Sequence, residues 1–255
     1  MSEQQIINSK KELQEQQRLI ELSKIPPRIA GLDPGKQMDS FALVGIEVRD
    51  RRDIYIIGAA QWKHQDYLKV EDEAYQIHSS IAKRPFNDVV VETNNTGWHV
   101  VEVLKSKYHM PIRPVTTVPK LTDKKKIREG NSMAKNEMVT WLKKMILADR
   151  VYFPDVDSPG TKALKSQLPK FTRKLTDAGN TSYSAQGKEH DDLVMALILA
   201  CFYARRKYIR DGNEPPSIGT ANYTSKDKRT TALDWFPELP GMGPYVNLRG
   251  VSTYH

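Results

Sequence analysis

From Arg28 onward the chain changes its hydrophobic period, and that change restricts the folds open to it. Three runs rich in β-branched and apolar residues come first, Arg28 to Asp33, Phe41 to Val48 and Asp53 to Gln61; Pro34-Gly35 opens the first connection and Arg49-Asp50-Arg51-Arg52 fills the second. Connections this short and polar predict a meander of antiparallel strands. The pattern then alternates. A helical stretch from Val70 to Ala82 leads to the apolar run Asp88 to Glu92, and a helix from Trp98 to Lys107 leads to a strand-like run from Ile112 to Val118. Such alternation requires parallel strands joined by helical crossovers. The expected architecture is α/β: a mixed sheet of three antiparallel strands and then parallel strands, flanked by helices.

Between Lys135 and Leu147, the residues Met138, Val139, Trp141, Leu142, Met145 and Ile146 recur at helical spacing, and Val151-Tyr152-Phe153 before Pro154 predicts a short edge-like strand. Leu175 to Tyr183 is consistent with a hairpin, and the last strong helix is expected from His190 to Lys207. These elements define one catalytic domain over residues 28–208, with an arm before it and a tail after it. In residues 1–27, Ile6, Leu13 and Ile20 stand seven apart, and Ser9 and Glu12 are spaced as a capping box. That predicts a helical arm with a narrow apolar stripe, ended by Pro26-Pro27. Residues 209–255 are rich in Gly, Pro, Thr and Lys without periodicity, and predict a flexible tail.

Charge and cysteine content narrow the function. A formal net charge of +8 favours a polyanionic partner, because Lys and Arg gain free energy by releasing counterions from phosphates. Cys201 is the single cysteine, so no disulfide can form within the chain and a reducing compartment is expected. No apolar stretch approaches the roughly 18 residues that span a bilayer, and the first residues are polar where a signal peptide would be apolar. The expectation is a soluble cytoplasmic protein with no membrane partner.

Acids stand where strands end or a helix begins: Asp33 closes the first strand, Glu92 the fourth, and Asp191-Asp192 open the last helix. Singly, each has a plain structural role available, Asp33 as a turn residue before Pro34-Gly35, Glu92 as a solvated strand end and Asp191 as an N-cap. Their context changes the balance. Val89-Val90-Val91-Glu92 and Asp191-Asp192-Leu193-Val194-Met195-Ala196-Leu197 set carboxylates directly against runs that must be buried. A buried charge without a partner is costly, and a metal ion is an economical partner. Hard cations such as Mg²⁺ or Mn²⁺ take oxygen ligands, and two such ions can activate a water and stabilise the leaving oxygen of a phosphodiester.

The segments Ile29-Ala30-Gly31-Leu32-Asp33-Pro34-Gly35 with Asp39 following, Val91-Glu92-Thr93-Asn94-Asn95-Thr96-Gly97, and His190-Asp191-Asp192-Leu193-Val194-Met195-Ala196-Leu197 resemble, in order and spacing, the three nuclease motifs of viral large terminase subunits. The resemblance covers residues 28–205. It implies an RNase H-like fold and cleavage of double-stranded DNA with two Mg²⁺ or Mn²⁺ ions, the ligands being carried over to Asp33, Glu92, Asp191 and Asp192. In that setting the enzyme would cut concatemeric viral DNA during genome packaging. Helical periodicity does not rank the adjacent aspartates, since both share faces with apolar residues; the resemblance places Asp192 first, leaving Asp191 to cap the helix or hold the second ion.

Large terminase subunits usually carry a packaging ATPase, yet this sequence contains no Gly-x-x-x-x-Gly-Lys-Ser/Thr loop. The expectation is a packaging ATPase on a separate polypeptide, together with other packaging components, or a nuclease domain expressed or used apart from its motor. DNA contacts are expected from Lys120, Lys124, Lys125, Lys126, Arg128 and Lys135, because this basic loop follows a strand of the sheet. A second basic set is Lys162, Lys165, Lys170, Arg173 and Lys174. His190, Asp39 and Asn95 are auxiliary candidates, whereas Trp98 and His99 are expected to pack. Two other readings share the fold: a Holliday-junction resolvase, and a DNA-binding packaging protein without catalysis.

Overall fold

A computed structural model of the chain describes residues 25–35, 40–62, 67–80, 84–94, 97–118, 132–155, 158–175, 181–185 and 191–209. Almost all of the expected N-terminal arm and of the tail, together with Asp39, Asn95, His190 and the basic residues Lys120 to Arg128, lie outside these residues.

The three leading runs are β1 (Arg28–Asp33), β2 (Phe41–Arg49) and β3 (Asp53–Trp62), paired antiparallel in sequence order. After helix α1 (Tyr67–Ser80) come β4 (Asp88–Glu92), α2 (Gly97–Ser106), β5 (Ile112–Val118), β6 (Ser132–Ala134), α3 (Lys135–Leu147) and β7 (Val151–Tyr152). The strands form one seven-stranded sheet in the order β6-β5-β4-β1-β2-β3-β7, with β4 parallel to β1, β5 to β4, β6 to β5 and β7 to β3. A crossover returns the chain to the inner side of the meander, so β1 has an antiparallel partner on one side and a parallel one on the other. The strand at 151–152 sits at the sheet edge, as its length and the following Pro154 predict.

Two expected helices begin and end a little differently: the first is displaced toward the N-terminus, and the last starts at Asp192 instead of His190. Two elements were not anticipated, β6 and helix α4 (Pro159–Gln167). Pro159-Gly160 has the look of a breaker, but Ser158 caps α4 by accepting from the Thr161 N–H at 3.2 Å, and Pro159 falls in the first turn, where its missing N–H costs no helical bond. A short 3-10 turn (Leu168–Lys170) then enters the hairpin of β8 (Phe171–Leu175) and β9 (Thr181–Ala185).

Both faces of the sheet are covered. Alternate residues divide between two cores: Ile29, Val44 and Val90 face α3 and α5 (Asp192–Lys207), whereas Leu32, Leu43 and Val91 face α1 and α2. Helix α5 is buried almost all round, from Leu193 through Phe202, which is why its sequence carries no polar face. It lies directly on β1, where a Cβ at Gly31 would stand 1.9 Å from the Ala196 carbonyl oxygen. Only glycine admits the helix at that distance. Cys201, fully buried on this helix, has its thiol pushed up by burial and takes part in no disulfide.

Candidate metal centre

Period-two alternation places Asp33 on the same face as Ile29 and Gly31, and Glu92 on the same face as Val90, so both acids point toward the α5 side. Because β1 and β4 are parallel, with Leu32 opposite Val91, the two carboxylates leave the sheet at one end. The start of α5 comes to the same end and adds Asp191 and Asp192, the latter 6% exposed. Three separate segments of the sequence thus deliver their acids to one place.

Their charges act on one another. Burial and the Glu92 charge push the Asp33 carboxyl well above the usual carboxylate range; a bond from the Gly35 N–H at 3.1 Å pulls it back, while Asp192 and Asp191 push it up further. Among the described residues, the charges that act most on Asp33 are all negative. The Gly35 bond also shows that Asp33 does serve its local turn, and φ of 65° at Gly35 is the left-handed conformation such a turn needs.

Glu92 and Asp192 each accept from neutral side chains. Glu92 Oε1 accepts from Asn94 Nδ2 at 2.9 Å and from the Thr117 hydroxyl. Asn94 is itself anchored to Thr117, through its carbonyl at 3.0 Å and its Oγ1 at 2.8 Å. The Gly97 N–H donates to the Asn94 carbonyl at 3.2 Å. At Gly97 a Cβ would fall 1.9 Å from the Glu92 carbonyl oxygen, so glycine lets α2 begin immediately behind the acid. Asp192 Oδ2 accepts from Gln61 Nε2 at 3.3 Å. Asp191 occupies the N-cap position of α5 without forming a side-chain cap, so the capping role open to it in the sequence is not taken. Thr117, Gln61 and Gln167 were not identified from sequence, because an uncharged polar residue at the end of a strand or helix carries no signal until its neighbours are known.

Among the described residues, no group of three or more His, Cys, Asp or Glu side chains is placed so that it could hold a metal ion by itself. The acids share an electrostatic field, and a cation at their end of the sheet fits the donor chemistry. Mg²⁺ takes one or two carboxylates and fills its octahedron with water and phosphate oxygens, and an all-oxygen donor set of net negative charge suits Mg²⁺ or Mn²⁺ over a softer metal.

The basic candidates divide. Lys135, the one cation of the first set within the described residues, opens α3 with its ammonium 5.7 Å from the centre of the Phe171 ring. Strand β5 ends at Val118, three residues past the Val115 partner of Glu92. In the second set, Lys165 lies over the Phe153 ring at 5.3 Å. Contrary to expectation, Trp98 and His99 do not pack away: Trp98 is 53% exposed and the His99 side chain 63%, at the start of α2 just behind Glu92.

A mixed sheet of this order, with acids at the carboxyl ends of β1 and β4 and at the head of a buried helix, defines an RNase H-like protein. Residues 30–204 match the family model described as the terminase RNaseH-like domain, and the chain belongs to that family. No curated protein sequence matches the chain. Among solved structures, the large terminase nuclease of the thermophilic phage G20c is similar at 19% identity and a TM-score of 0.52, over 72% of this chain and 83% of that one. The same nuclease with bound magnesium is similar at 19% identity and a TM-score of 0.50, over 69% and 80%. The large terminase of a second thermophilic bacteriophage matches at 8% identity and a TM-score of 0.52, over 72% of this chain and 40% of its own longer one. Among the described residues, no helix is long and apolar enough to cross a membrane.

Proposed function

We propose that this chain is a metal-dependent endonuclease that cuts double-stranded DNA, as a terminase does when it trims concatemeric viral DNA during packaging. The observation that carries the reading is the meeting of Asp33, Glu92, Asp192 and Asp191 at one end of the sheet, where burial and the charges of the other three raise the Asp33 carboxyl. The magnesium-bound relative from phage G20c supports the choice of cation.

Asp33, Glu92 and Asp192 would hold the metal, with Asp191, its side chain not used as a cap, available to a second ion. Bound there, the ions would supply an activated water and charge stabilisation for the leaving oxygen. Asn94 and Thr117 orient the Glu92 carboxylate, and Gln61 orients that of Asp192. Lys135 and the cations from Lys120 to Arg128 would hold the duplex by its phosphates without reading sequence. A packaging ATPase and other packaging components are the implied partners, as for the terminase family to which the chain belongs.

A plasmid-nicking assay in Mg²⁺, Mn²⁺ and EDTA tests this reading, with a linear duplex and a four-way junction compared in the same series. Cleavage of linear duplex that EDTA abolishes is the expected result. Preference for the junction would indicate a resolvase, and no cleavage with either metal would leave a DNA-binding protein without catalysis.

A further inference from the structure

Gln61 is one link of a longer chain of hydrogen bonds. At the end of β3 it donates to Asp192 Oδ2 at 3.3 Å; its own Oε1 accepts from Gln167 Nε2 at 3.2 Å, and Gln167 Oε1 accepts from the backbone N–H of Leu193 at 3.2 Å. Leu193 follows Asp192 in the helix, so the chain closes into a ring that joins β3, the last residue of α4 and the first turn of α5.

The direction of every bond in this ring is fixed by its backbone member. A peptide N–H can only donate, so the Gln167 atom facing Leu193 must be the oxygen. That turns the Gln167 NH₂ toward Gln61, which must meet it with its own oxygen and present its NH₂ to Asp192. The usual ambiguity between amide oxygen and nitrogen is thereby removed. Gln167 also supplies from α4 what the N-cap side chain leaves undone, an acceptor for a first-turn N–H of α5.

We propose that Gln61 and Gln167 are positioning residues, a two-amide relay polarised by the Leu193 N–H that holds the Asp192 carboxylate in the acidic centre against the like charges of Asp33 and Glu92. The proposal rests on the metal-nuclease reading above. The polarity gives it an unusual consequence. In Gln167→Glu the new carboxylate still accepts from Leu193 but cannot donate to Gln61. Gln61 must then turn its NH₂ to residue 167 and its oxygen to Asp192, placing a carbonyl oxygen against a carboxylate. In Gln61→Leu the donor is lost without inversion.

The test is Mn²⁺ binding by isothermal titration calorimetry to the full chain, alongside nicking rates at saturating Mn²⁺ and duplex affinity in EDTA. Gln61→Leu should weaken Mn²⁺ binding by about tenfold, the lower end of the range for groups that orient metal ligands. Gln167→Glu should weaken it further. The double variant Gln61→Leu/Gln167→Glu should return to the affinity of Gln61→Leu alone, a rescue that general loss of packing would not produce. Duplex affinity in EDTA should stay unchanged throughout. Wild-type Mn²⁺ affinity in Gln167→Glu and Gln61→Leu, or an additive double variant, overturns the relay while leaving the nuclease reading intact. Absence of Mn²⁺ binding and cleavage in the wild-type chain overturns both.

Discussion

The α5 face of the sheet carries an acid at each end, Asp88 opening β4 and Asp33 closing the neighbouring β1, and the two are treated in opposite ways. Asp88, at the amino end, is fully buried and is met by Arg113 Nε at 2.6 Å, Lys207 Nζ at 2.7 Å, the Tyr203 hydroxyl at 3.3 Å and the Tyr208 hydroxyl. Burial pushes this carboxyl up, but the bonds from Lys207, Tyr208 and Arg113 outweigh it and leave it below its ordinary value. At the carboxyl end, burial pushes Asp33 up in the same way, and its neighbours are more acids. Helix α5 serves both places, with its last turn on Asp88 and its first turn at Asp33 and Glu92. One end is a finished ion pair that ties helix to sheet; the other is a charge imbalance suited to a cation. Burial alone distinguishes nothing between them, and the sign of the neighbouring charges decides which carboxyl is lowered and which is raised.

Four predictions break or sharpen that contrast, beginning with the largest effect. Asp33→Asn, Glu92→Gln and Asp192→Asn should each lower nicking by about 10³-fold or more, since metal charge stabilisation is worth several kcal/mol and each 1.36 kcal/mol is tenfold in rate. Asp191→Asn should keep part of the activity. Duplex binding should persist in all of them, and near-normal nicking by Asp33→Asn or Glu92→Gln would move the centre elsewhere.

The same Asp→Asn change should have opposite effects on stability at the two ends. Asp88→Asn leaves Arg113 and Lys207 without their anion and should cost about 3 kcal/mol in urea unfolding, the lower end for a broken buried pair because both cations are about half exposed. Asp33→Asn removes a repelled charge and should raise stability at neutral pH in EDTA. The pH profiles should separate in the same sense. Asp88, depressed in the fold, contributes stability above its unfolded value near pH 4 that is lost as pH falls through its lower folded value. Asp33, raised in the fold, contributes most below about pH 4, and that contribution is lost as pH rises through its folded value. Difference profiles of wild type against each variant that run in the same direction would contradict the assignment.

Gly31→Ala should disturb both ends at once by driving a Cβ into the Ala196 carbonyl and shifting α5. A loss of about 2 kcal/mol, within the range for overpacking, together with reduced nicking, is expected from chemical denaturation and the plasmid assay. An effect on stability with no change in nicking would mean that the head of α5 is seated independently of its middle. The smallest effect concerns binding alone: charge reversal at Lys124, Lys125 and Lys126 should weaken duplex affinity for all sequences and flatten its salt dependence while leaving the fold unchanged. An unaltered slope of log affinity against log salt removes this loop from the DNA path.

Much of this protein was legible in its sequence because strands and buried helices impose periods of their own. The antiparallel meander, the parallel strands after it, the existence of a last buried helix and the acids at Asp33, Glu92 and Asp191-Asp192 all follow from where apolar runs begin and end, although that helix was expected from His190 and starts at Asp192. Helix α4 was missed because Pro159-Gly160 resembles a break and only the Ser158 cap reverses that reading. Strand β6 was missed because three residues, Ser132–Ala134, are too few to show a period. What tertiary structure alone decided is how the acids differ. Asp88 and Glu92 bound the same five-residue strand, and nothing local in Asp88-Val89-Val90-Val91-Glu92 says that the first meets Lys207 and Tyr208 while the second meets Asn94 and Thr117. Likewise Gln61 and Gln167, 106 residues apart, become partners only through the fold. Periodicity is a property of the chain's own backbone geometry, whereas the electrostatic balance at a carboxylate is a sum over side chains that distant segments bring to it.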